Sequence, residues 1–375
     1  MIAPFFHRWE LRLAEVSRAD RVVRPFEWGL DWLVPPQATS VAHLAGTPDG
    51  SRPPAATSGP VPPDPRAVIQ AWVDQVMRDS DAFFTPAPTR DYVLTDAPDH
   101  LRAGGEAGTL TFPSGFSTPH PANNTVHARY FPANPVRKPR ARAPRRAVVV
   151  LAQWNSDPEG HIGLCKLLAK LGIASLRISL PYHDHRMPPE LTRADYIVSS
   201  NVVRTLQVCR QAVMDVRLAL WWLRDQGYER LGLLGTSLGS CLAMLTGVHE
   251  PLVRAQALNH VSPYFGDVVW RGLSTEHVRQ GMEGHMDLEG LRELWRPISP
   301  WSYLDRVHRT QTLLVYAKYD LTFPVDLSLL LVKEWQRRDP RVKVATLPCG
   351  HYTTGEAPFK FLDGYYLGNF LARNL

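Results

Sequence analysis

A Gly-Thr-Ser-Leu-Gly run at residues 235–239 contains residue types that could do chemistry. It follows the apolar segment 231–234 and precedes an apolar segment with helical spacing. A serine on such a strand-to-helix turn points its hydroxyl out above the sheet, and glycines beside it avoid collisions with the neighbouring strand and helix. The helix that begins there also directs N–H groups at the site. The run therefore predicts a nucleophile at Ser237.

A serine hydroxyl stays protonated at neutral pH, so it needs a base, and the base needs an acid that holds its tautomer. His351 follows the last apolar strand segment, and Asp320 follows the one before it. Both lie where a parallel sheet presents its functional loops, in the chain order Ser, Asp, His. We therefore predict His351 as general base and Asp320 as its acid. Other residues of this half of the chain are alternatives: His183, His185, His260 and His308 for the base, and Asp267, Asp305 and Asp326 for the acid.

Alternating strand and helix patterns supply the framework for these side chains. Strands are predicted at 147–152, 172–179, 231–235, 255–261, 312–317 and 341–348, and helices at 158–171, 191–226, 238–247, 324–337 and 358–373. The strand at 147–152 is a continuous β-branched run, typical of a parallel strand buried on both faces. Repeated strand–helix units predict an α/β fold with a mostly parallel sheet flanked by helices.

The first 145 residues have a different character, because many of the 33 prolines of the chain lie there. We predict an irregular extension with an aromatic arm at 1–34, a linker at 35–65, a helix at 66–84 and an edge strand at 124–131. The catalytic domain is predicted at 146–375. The basic run 137–146 at the junction holds six basic residues and no acidic one, which accounts for the whole net charge of +6. We interpret it as a solvated linker.

From 147 to 373 the chain resembles the α/β-hydrolase superfamily. The segment DVRLALWWLRDQGYERLGLLGTSLGS, residues 215–240, is similar to the helix-plus-elbow block of the esterase and dienelactone-hydrolase-like branches. The resemblance implies the α/β-hydrolase fold and hydrolysis of an ester, less often an amide, through an acyl-enzyme without a cofactor. The elbow carries serine, which differs from the thiol-using dienelactone hydrolases.

The resemblance also implies an oxyanion hole made of backbone N–H groups. One donor is the N–H of Leu238, directly after the nucleophile. The second belongs to the loop after the first predicted strand, where the superfamily usually has His-Gly and this chain has Gln153-Trp154-Asn155. That donor is the N–H of Trp154, or of Asn155 if the register shifts by one. A backbone donor needs no glycine, so the departure affects the loop shape and the substrate that fits.

Two further segments could shape a substrate pocket. The run 181–186 follows a strand, and we predict that Tyr182, His183 and His185 form a pocket wall, with a structural polar cluster as the alternative. A metal site is not predicted, because no ligands with matching spacing accompany this run. Gln153 and Trp270 complete the predicted pocket.

The connection 262–308 exceeds the usual loop length. We predict two short amphipathic helices that form a lid over Ser237 with an apolar acyl pocket; the alternative is that these side chains cap the core.

Composition excludes several classes of function. The apolar fraction of 44% and charged fraction of 21% are ordinary for a soluble protein. The basic run lacks the interleaved aromatic residues of a nucleic-acid site. Four widely spaced cysteines predict free thiols, and we find no signal peptide or membrane span, so we expect a cytoplasmic protein.

The function predicted from the sequence is hydrolysis of a small-molecule carboxylic ester by a serine mechanism. A peptidase or amidase on the same fold and a non-catalytic binding protein are the alternatives. The sequence makes no prediction of the oligomeric state.

Overall fold

A computed structural model describes residues 2–16, 20–33, 64–134 and 143–375. The described residues form one nine-stranded sheet in the order β1-β2-β3-β5-β4-β6-β7-β8-β9. The strands are β1 (Val93–Asp96), β2 (Gly108–Pro113), β3 (Thr125–Phe131), β4 (Arg146–Leu151), β5 (Ala174–Ile178), β6 (Arg230–Thr236), β7 (Val253–Asn259), β8 (Gln311–Ala317) and β9 (Lys343–Leu347). The first three pair antiparallel, and β4 to β9 pair in parallel.

Helices flank both faces of the sheet. They are α1 (Ala3–Val16), α2 (Pro65–Arg78), α3 (Ser80–Phe83), α4 (Asp99–Ala103), α5 (Ile162–Lys170), α6 (Val202–Asp225), α7 (Leu238–His249), α8 (Phe265–Arg271), α9 (Glu276–Met282), α10 (Leu288–Leu294), α11 (Val325–Arg338) and α12 (Phe359–Asn374). The predicted α/β class with a mostly parallel, helix-flanked sheet is confirmed. In the part of the chain that the structure describes, no helix is long and apolar enough to span a membrane.

Successive side chains of each central strand enter two different cores, as the pleat requires. In β4, Val149 and Leu151 belong to the core shared with α6, whereas Val148 and Val150 belong to the core shared with α5 and α12. All four side chains are fully buried. This two-sided burial explains why the strand is a continuous apolar run in the sequence.

The segment predicted as an edge strand, 124–131, is a strand but does not lie at the edge. It is β3, between β2 and β5. The outermost strand, β1, is hard to recognise in the sequence, because all four of its side chains are exposed and show no alternation of apolar and polar residues. The described residues before 135 thus add three antiparallel strands to the sheet.

The helix predicted at 191–226 begins only at Val202. The Asn201 side chain caps it by accepting the Arg204 N–H at 2.9 Å, and 191–201 is irregular. Residues 35–63 of the predicted linker 35–65 and most of the basic run lie outside the described residues, and α2 already begins at Pro65. The domain boundary at 145 stays a prediction.

The insert, residues 262–308, contains three short α-helices rather than the two predicted. Its apolar side chains lie in the core: Met282, Leu291, Leu294 and Trp295 are fully buried. The Trp295 indole also donates to the Val202 carbonyl at 3.1 Å. These side chains therefore cap the core, which was the alternative that the sequence left open.

Candidate active site

Ser237 occupies a strained turn between β6 and α7. Its backbone has φ 57° and ψ −120°, a conformation that few non-glycine residues adopt. The glycines on either side are required by space. A Cβ on Gly235 would lie 2.2 Å from the Gly239 carbonyl oxygen, and a Cβ on Gly239 would lie 2.3 Å from the Leu151 oxygen. The sequence run therefore produces the sharp turn that presents a serine side chain.

The structure brings the predicted nucleophile, base and acid together. The His351 Nε2 lies 3.1 Å from Ser237 Oγ, and its Nδ1 lies 3.0 Å from Asp320 Oδ2. The Phe323 ring stacks on the imidazole, with ring centroids 5.3 Å apart and planes 8° apart. An ionised carboxylate only accepts hydrogen bonds, so Nδ1 of His351 carries a proton and Nε2 is free to accept the proton of Ser237.

Asp320 is a buried carboxylate whose four hydrogen bonds hold it in place. Its Oδ1 accepts the backbone N–H groups of Thr322 at 2.8 Å and Phe323 at 2.7 Å. Its Oδ2 accepts His351 and also His260 Nδ1, at 2.9 Å. His260, an alternative base in the sequence, thus lies against the acid, and its ring centroid is 4.3 Å from that of His351.

Two negatively charged side chains near His351 favour the protonated form of its imidazole. Burial opposes the imidazolium of His351, but the carboxylates of Asp320 and Glu10 outweigh it and raise the His351 pKa. Burial, with the neighbouring His351, lowers the pKa of His260. Burial alone would raise the pKa of Asp320, yet the two imidazoles bring it well below its ordinary value. The acid is therefore ionised and His260 is neutral near pH 7.

The two backbone N–H groups predicted as oxyanion donors can be located in the structure: that of Leu238 directly follows Ser237, and that of Trp154 lies in the loop after β4. The N–H groups of Leu238 and Trp154 meet no acceptor in the described part of the chain. The shifted alternative is not available, because the Asn155 N–H donates to His183 Nε2 at 3.0 Å. The structure thus selects Trp154 over Asn155 as the second candidate donor.

The run 181–186 is a structural cluster rather than the predicted pocket wall. Tyr182 is fully buried, and its hydroxyl is 3.0 Å from His120 Nδ1. His183 is buried and uses both ring nitrogens, one on the Pro181 carbonyl and one on the Asn155 N–H. His185 is exposed and contacts the ring of His127.

Ion pairs complete this cluster. Asp184 pairs with Arg177, and Arg186 pairs with Asp215 at 2.8 Å. Ser179 donates to Asp184 at 2.7 Å. We call this group the polar knot: Arg177, Ser179, His183, Asp184, Arg186 and Asp215.

The other two predicted pocket residues, Gln153 and Trp270, lie in different parts of the structure. Gln153 is partly exposed in the loop that carries Trp154, and its carbonyl accepts the Ser156 N–H at 3.2 Å. Trp270 is partly buried against the core at the end of α8.

The remaining alternatives for base and acid form contacts elsewhere. Asp267 is fully buried and pairs with Arg292; Asp305 pairs with Arg338, and Asp326 with Arg271. His308 is exposed.

The insert contacts all three loops of the site. The His277 ring of α9 stacks on Trp154 at 5.6 Å with planes 8° apart. The Ser274 hydroxyl lies 2.9 Å from Thr322 Oγ1 and 2.6 Å from the Tyr352 hydroxyl. The insert therefore contacts the loop of Trp154, the loop of Asp320 and the loop of His351.

One group of residues offers ligand atoms close enough for a metal ion. These atoms belong to His260, Asp320 and His351 and lie within 4.8 Å of one another. Both Nδ1 atoms, however, already bond the same carboxylate oxygen. In this arrangement the two imidazole Nδ1–H groups donate hydrogen bonds to the Asp320 carboxylate, so both Nδ1 atoms carry protons and have no lone pair for a metal ion.

Glu10 is a residue of the site that the sequence analysis missed. It lies in α1, is fully buried, and accepts the N–H groups of Tyr352 and Thr353. A signal was present, since Glu10 falls with Phe6 and Ala14 at helical spacing on the face of α1 that is buried.

Comparisons with known proteins agree with this architecture. Residues 123–263, less than half of the chain, match the family model "Alpha/beta hydrolase domain containing 18". The matched segment contains Ser237 and ends before Asp320 and His351. No curated protein matches the chain in sequence.

Many solved structures are similar in fold. The acetyl xylan esterase from Paenibacillus sp. R4 has a TM-score of 0.61 at 12% identity, covering 82% of this chain and 99% of that chain. Acetyl xylan esterase 1 from Thermoanaerobacterium sp. JW/SL YS485 has a TM-score of 0.56 at 14% identity, covering 83% and 94%. The Pyrococcus horikoshii acylaminoacyl peptidase has a TM-score of 0.51 at 14% identity, covering 71% of this chain and 41% of that chain.

Identities this low show the fold alone. The predicted fold class is thereby confirmed, and the chain is an α/β-hydrolase-fold protein whose central part is similar to the alpha/beta hydrolase domain containing 18 family.

Proposed function

We propose that this protein is a serine hydrolase of carboxylic esters that works through an acyl-enzyme. The observation that carries the proposal is the position of the His351 imidazole, which lies within hydrogen-bond distance of both Ser237 Oγ and Asp320 Oδ2. A serine on an elbow, a base on the serine and a buried acid on the base are the parts that acyl transfer needs.

The geometry supports a two-step reaction. Ser237 Oγ attacks the ester carbonyl carbon as its proton passes to His351 Nε2, and the tetrahedral intermediate places its oxyanion against the N–H groups of Leu238 and Trp154. His351 then protonates the departing alcohol. Water attacks the acyl-enzyme in the second step, with His351 again taking and returning the proton. Each oxyanion donor contributes about 2.7–4 kcal/mol to transition-state stabilisation in comparable sites.

The names of the structural neighbours include both esterases and a peptidase, with esterases more frequent among the three cited above. Two are acetyl xylan esterases and one is an acylaminoacyl peptidase. An amidase on the same fold is therefore the second candidate. A non-catalytic binding protein is the third, and the intact set of Ser237, His351 and Asp320 argues against it.

The test is labelling by a fluorophosphonate probe together with hydrolysis of p-nitrophenyl esters and a matched p-nitroanilide. We expect labelling and ester turnover by the wild type, both absent in Ser237→Ala. Ser117→Ala, at an exposed serine, is the matched control and should behave as wild type. Faster anilide than ester turnover would favour the amidase. An unlabelled, inactive wild type would leave a binding protein.

We also infer that the insert covers the bound ester and affects which acyl chains fit. Its contact with the loop of Trp154 is the stack of His277 on that residue. His277→Ala removes this contact, so we expect the ratio of acetate to octanoate ester turnover to change. His308→Ala, at an exposed position of the same insert, should keep the wild-type ratio. The same ratio of acetate to octanoate turnover in His277→Ala as in His308→Ala and the wild type would contradict the inference.

A further inference from the structure

Glu10 carries a negative charge from the N-terminal helix to the loop of the base. Its Oε2 accepts the Tyr352 N–H at 2.9 Å and its Oε1 accepts the Thr353 N–H at 2.8 Å. These two residues directly follow His351. A fully buried carboxylate is costly unless its oxygens are bonded, and here each oxygen has a backbone donor. Glu10 therefore binds the loop of His351 through both carboxylate oxygens and places a carboxylate next to it.

The packing around Glu10 requires its close approach. A Cβ on Gly350, the residue before His351, would lie 2.3 Å from Glu10 Cδ. Any larger residue at position 350 would displace either the carboxylate or the loop. The Gly350 N–H donates to Thr353 Oγ1 at 2.7 Å, which tightens the same turn. The sequence around the base is thus shaped to receive a side chain from α1.

The helix α1 also contacts the loop of the acid. The Phe6 ring stacks on Tyr319, with centroids 4.7 Å apart and planes 8° apart. Tyr319 immediately precedes Asp320, and its N–H donates to the Cys349 carbonyl at 2.9 Å. One turn of α1 therefore touches both loops that carry the acid–base pair.

The charge of Glu10 acts in the same direction as that of Asp320. Burial opposes the imidazolium of His351, Asp320 outweighs that effect, and Glu10 adds to it, so the His351 pKa is raised. The groups around His351 are Asp320 and His260 from the ends of β8 and β7, Ser237 from the elbow, Tyr352, whose ring centroid is 5.9 Å away, and Glu10, whose charge acts on the imidazole from α1. Glu10 is the second carboxylate among them.

We propose that Glu10 is a positioning residue of the reaction centre, which holds the loop of His351 and stabilises the imidazolium formed when His351 takes the proton of Ser237. The proposal rests on the serine-hydrolase function proposed above. It assigns a role to the N-terminal extension that the predicted triad does not include. A purely structural Glu10 would fasten α1 to the sheet without affecting the protonation of His351.

The experiment compares Glu10→Gln with Glu15→Gln, an exposed glutamate of the same helix. The pH dependence of kcat/KM for p-nitrophenyl acetate is measured for both variants and the wild type. Removing a nearby negative charge disfavours the imidazolium, so the acid limb of Glu10→Gln should move to lower pH by about half a unit to one unit. Glu15→Gln should retain the wild-type profile. A fall in kcat at every pH without a shift of the limb would overturn the proposal.

A second variant and a second measurement test the same role of Glu10. Gly350→Ala leaves Glu10 in the chain but forces its carboxylate and the His351 loop apart, so it should shift the acid limb in the same direction; an unshifted, folded Gly350→Ala would contradict the proposal. Circular dichroism establishes folding of each variant. If the wild type neither hydrolyses esters nor reacts with a fluorophosphonate, the serine-hydrolase proposal fails. NMR titration of the His351 ring, assigned with His351→Ala, then decides whether Glu10→Gln lowers its pKa.

Discussion

Two polar clusters lie at the carboxyl edge of the parallel part of the sheet, and they share several residue types. The polar knot lies around the end of β5 and holds a serine, a histidine and two aspartates. The candidate active site follows β6, β7, β8 and β9 and holds a serine, two histidines and one aspartate. They differ in how many of their hydrogen-bonding groups already have a partner within the protein. In the polar knot both aspartates face an arginine, and His183 uses both ring nitrogens.

In the candidate active site Asp320 faces two imidazoles instead of an arginine, and Ser237 lies against a base. The Leu238 and Trp154 N–H groups, moreover, have no acceptor among the described residues. Residue types alone therefore do not separate a reaction centre from a structural cluster. Unused hydrogen-bonding capacity around a reactive side chain does, because a transition state needs groups that the resting protein leaves free.

Replacing the serine of each cluster, Ser237 or Ser179, by alanine should give the greatest difference in ester turnover. Ser237→Ala removes the nucleophile, so we expect ester turnover to fall by about 10⁵-fold or more with an unchanged melting temperature. Ser179→Ala removes only the hydrogen bond to Asp184, so it should keep turnover and lose about 1 kcal/mol of unfolding free energy. Steady-state kinetics and thermal unfolding of both variants test this contrast. Wild-type turnover by purified Ser237→Ala would refute the serine mechanism.

A matched pair of aspartates gives the next largest effect. Asp320→Asn can no longer hold the tautomer of His351 or stabilise its imidazolium, and kcat should fall by about 10³–10⁴-fold. Combining it with Ser237→Ala should add little, since triad members act as a unit.

Asp184→Asn leaves Arg177 without its counter-charge, so it should reduce the unfolding free energy while folded molecules keep their turnover. Kinetics normalised to the folded fraction distinguish the two aspartates. Near-wild-type turnover by Asp320→Asn would show that another group is the acid.

The sequence was informative about the site where local chemistry and position coincide. The elbow could be predicted because Gly235 and Gly239 are demanded by the turn itself, and Asp320 and His351 because each directly follows a strand. Local sequence could not distinguish the polar knot from a pocket wall, since the partners of Arg186 and His183 come from the distant positions 215 and 155. Glu10 escaped prediction for the same reason: it is 341 residues from the base whose loop it holds.

The fold shows a similar division. Central parallel strands such as β4, β6 and β8 could be predicted because burial on both faces leaves apolar runs. The outer strand β1 could not, because its side chains are all exposed. Amphipathic helices in the insert could be predicted from its apolar residues. Whether those residues line a pocket or complete the core could not, because α2 and α6, which pack against the insert, lie far from it in the sequence.

The weakest predicted effect concerns a contact between the polar knot and the loop that carries Trp154. Burial lowers the pKa of His183 to about 4, so the ring is neutral near pH 7 and Nε2 keeps its lone pair. That lone pair accepts the Asn155 N–H at 3.0 Å. Asn155 has φ 54°, and its side chain accepts the Ala194 N–H at 2.7 Å, while the Trp154 indole donates to the Ala194 carbonyl at 2.9 Å. The polar knot therefore fixes the loop that presents the Trp154 N–H.

His183→Phe keeps a flat ring of similar size but leaves the Asn155 N–H without its acceptor, which costs about 1–3 kcal/mol. The loop can lower that cost only by rotating, and a rotated loop moves the Trp154 N–H away from the oxyanion. Because this donor acts mainly in the transition state, we expect kcat to fall by about tenfold with little change in KM. His185→Phe, at an exposed ring of the same run, should leave both constants unchanged. A folded His183→Phe with wild-type kcat would show that the polar knot and the reaction centre are independent, and that Trp154 owes its position to other contacts.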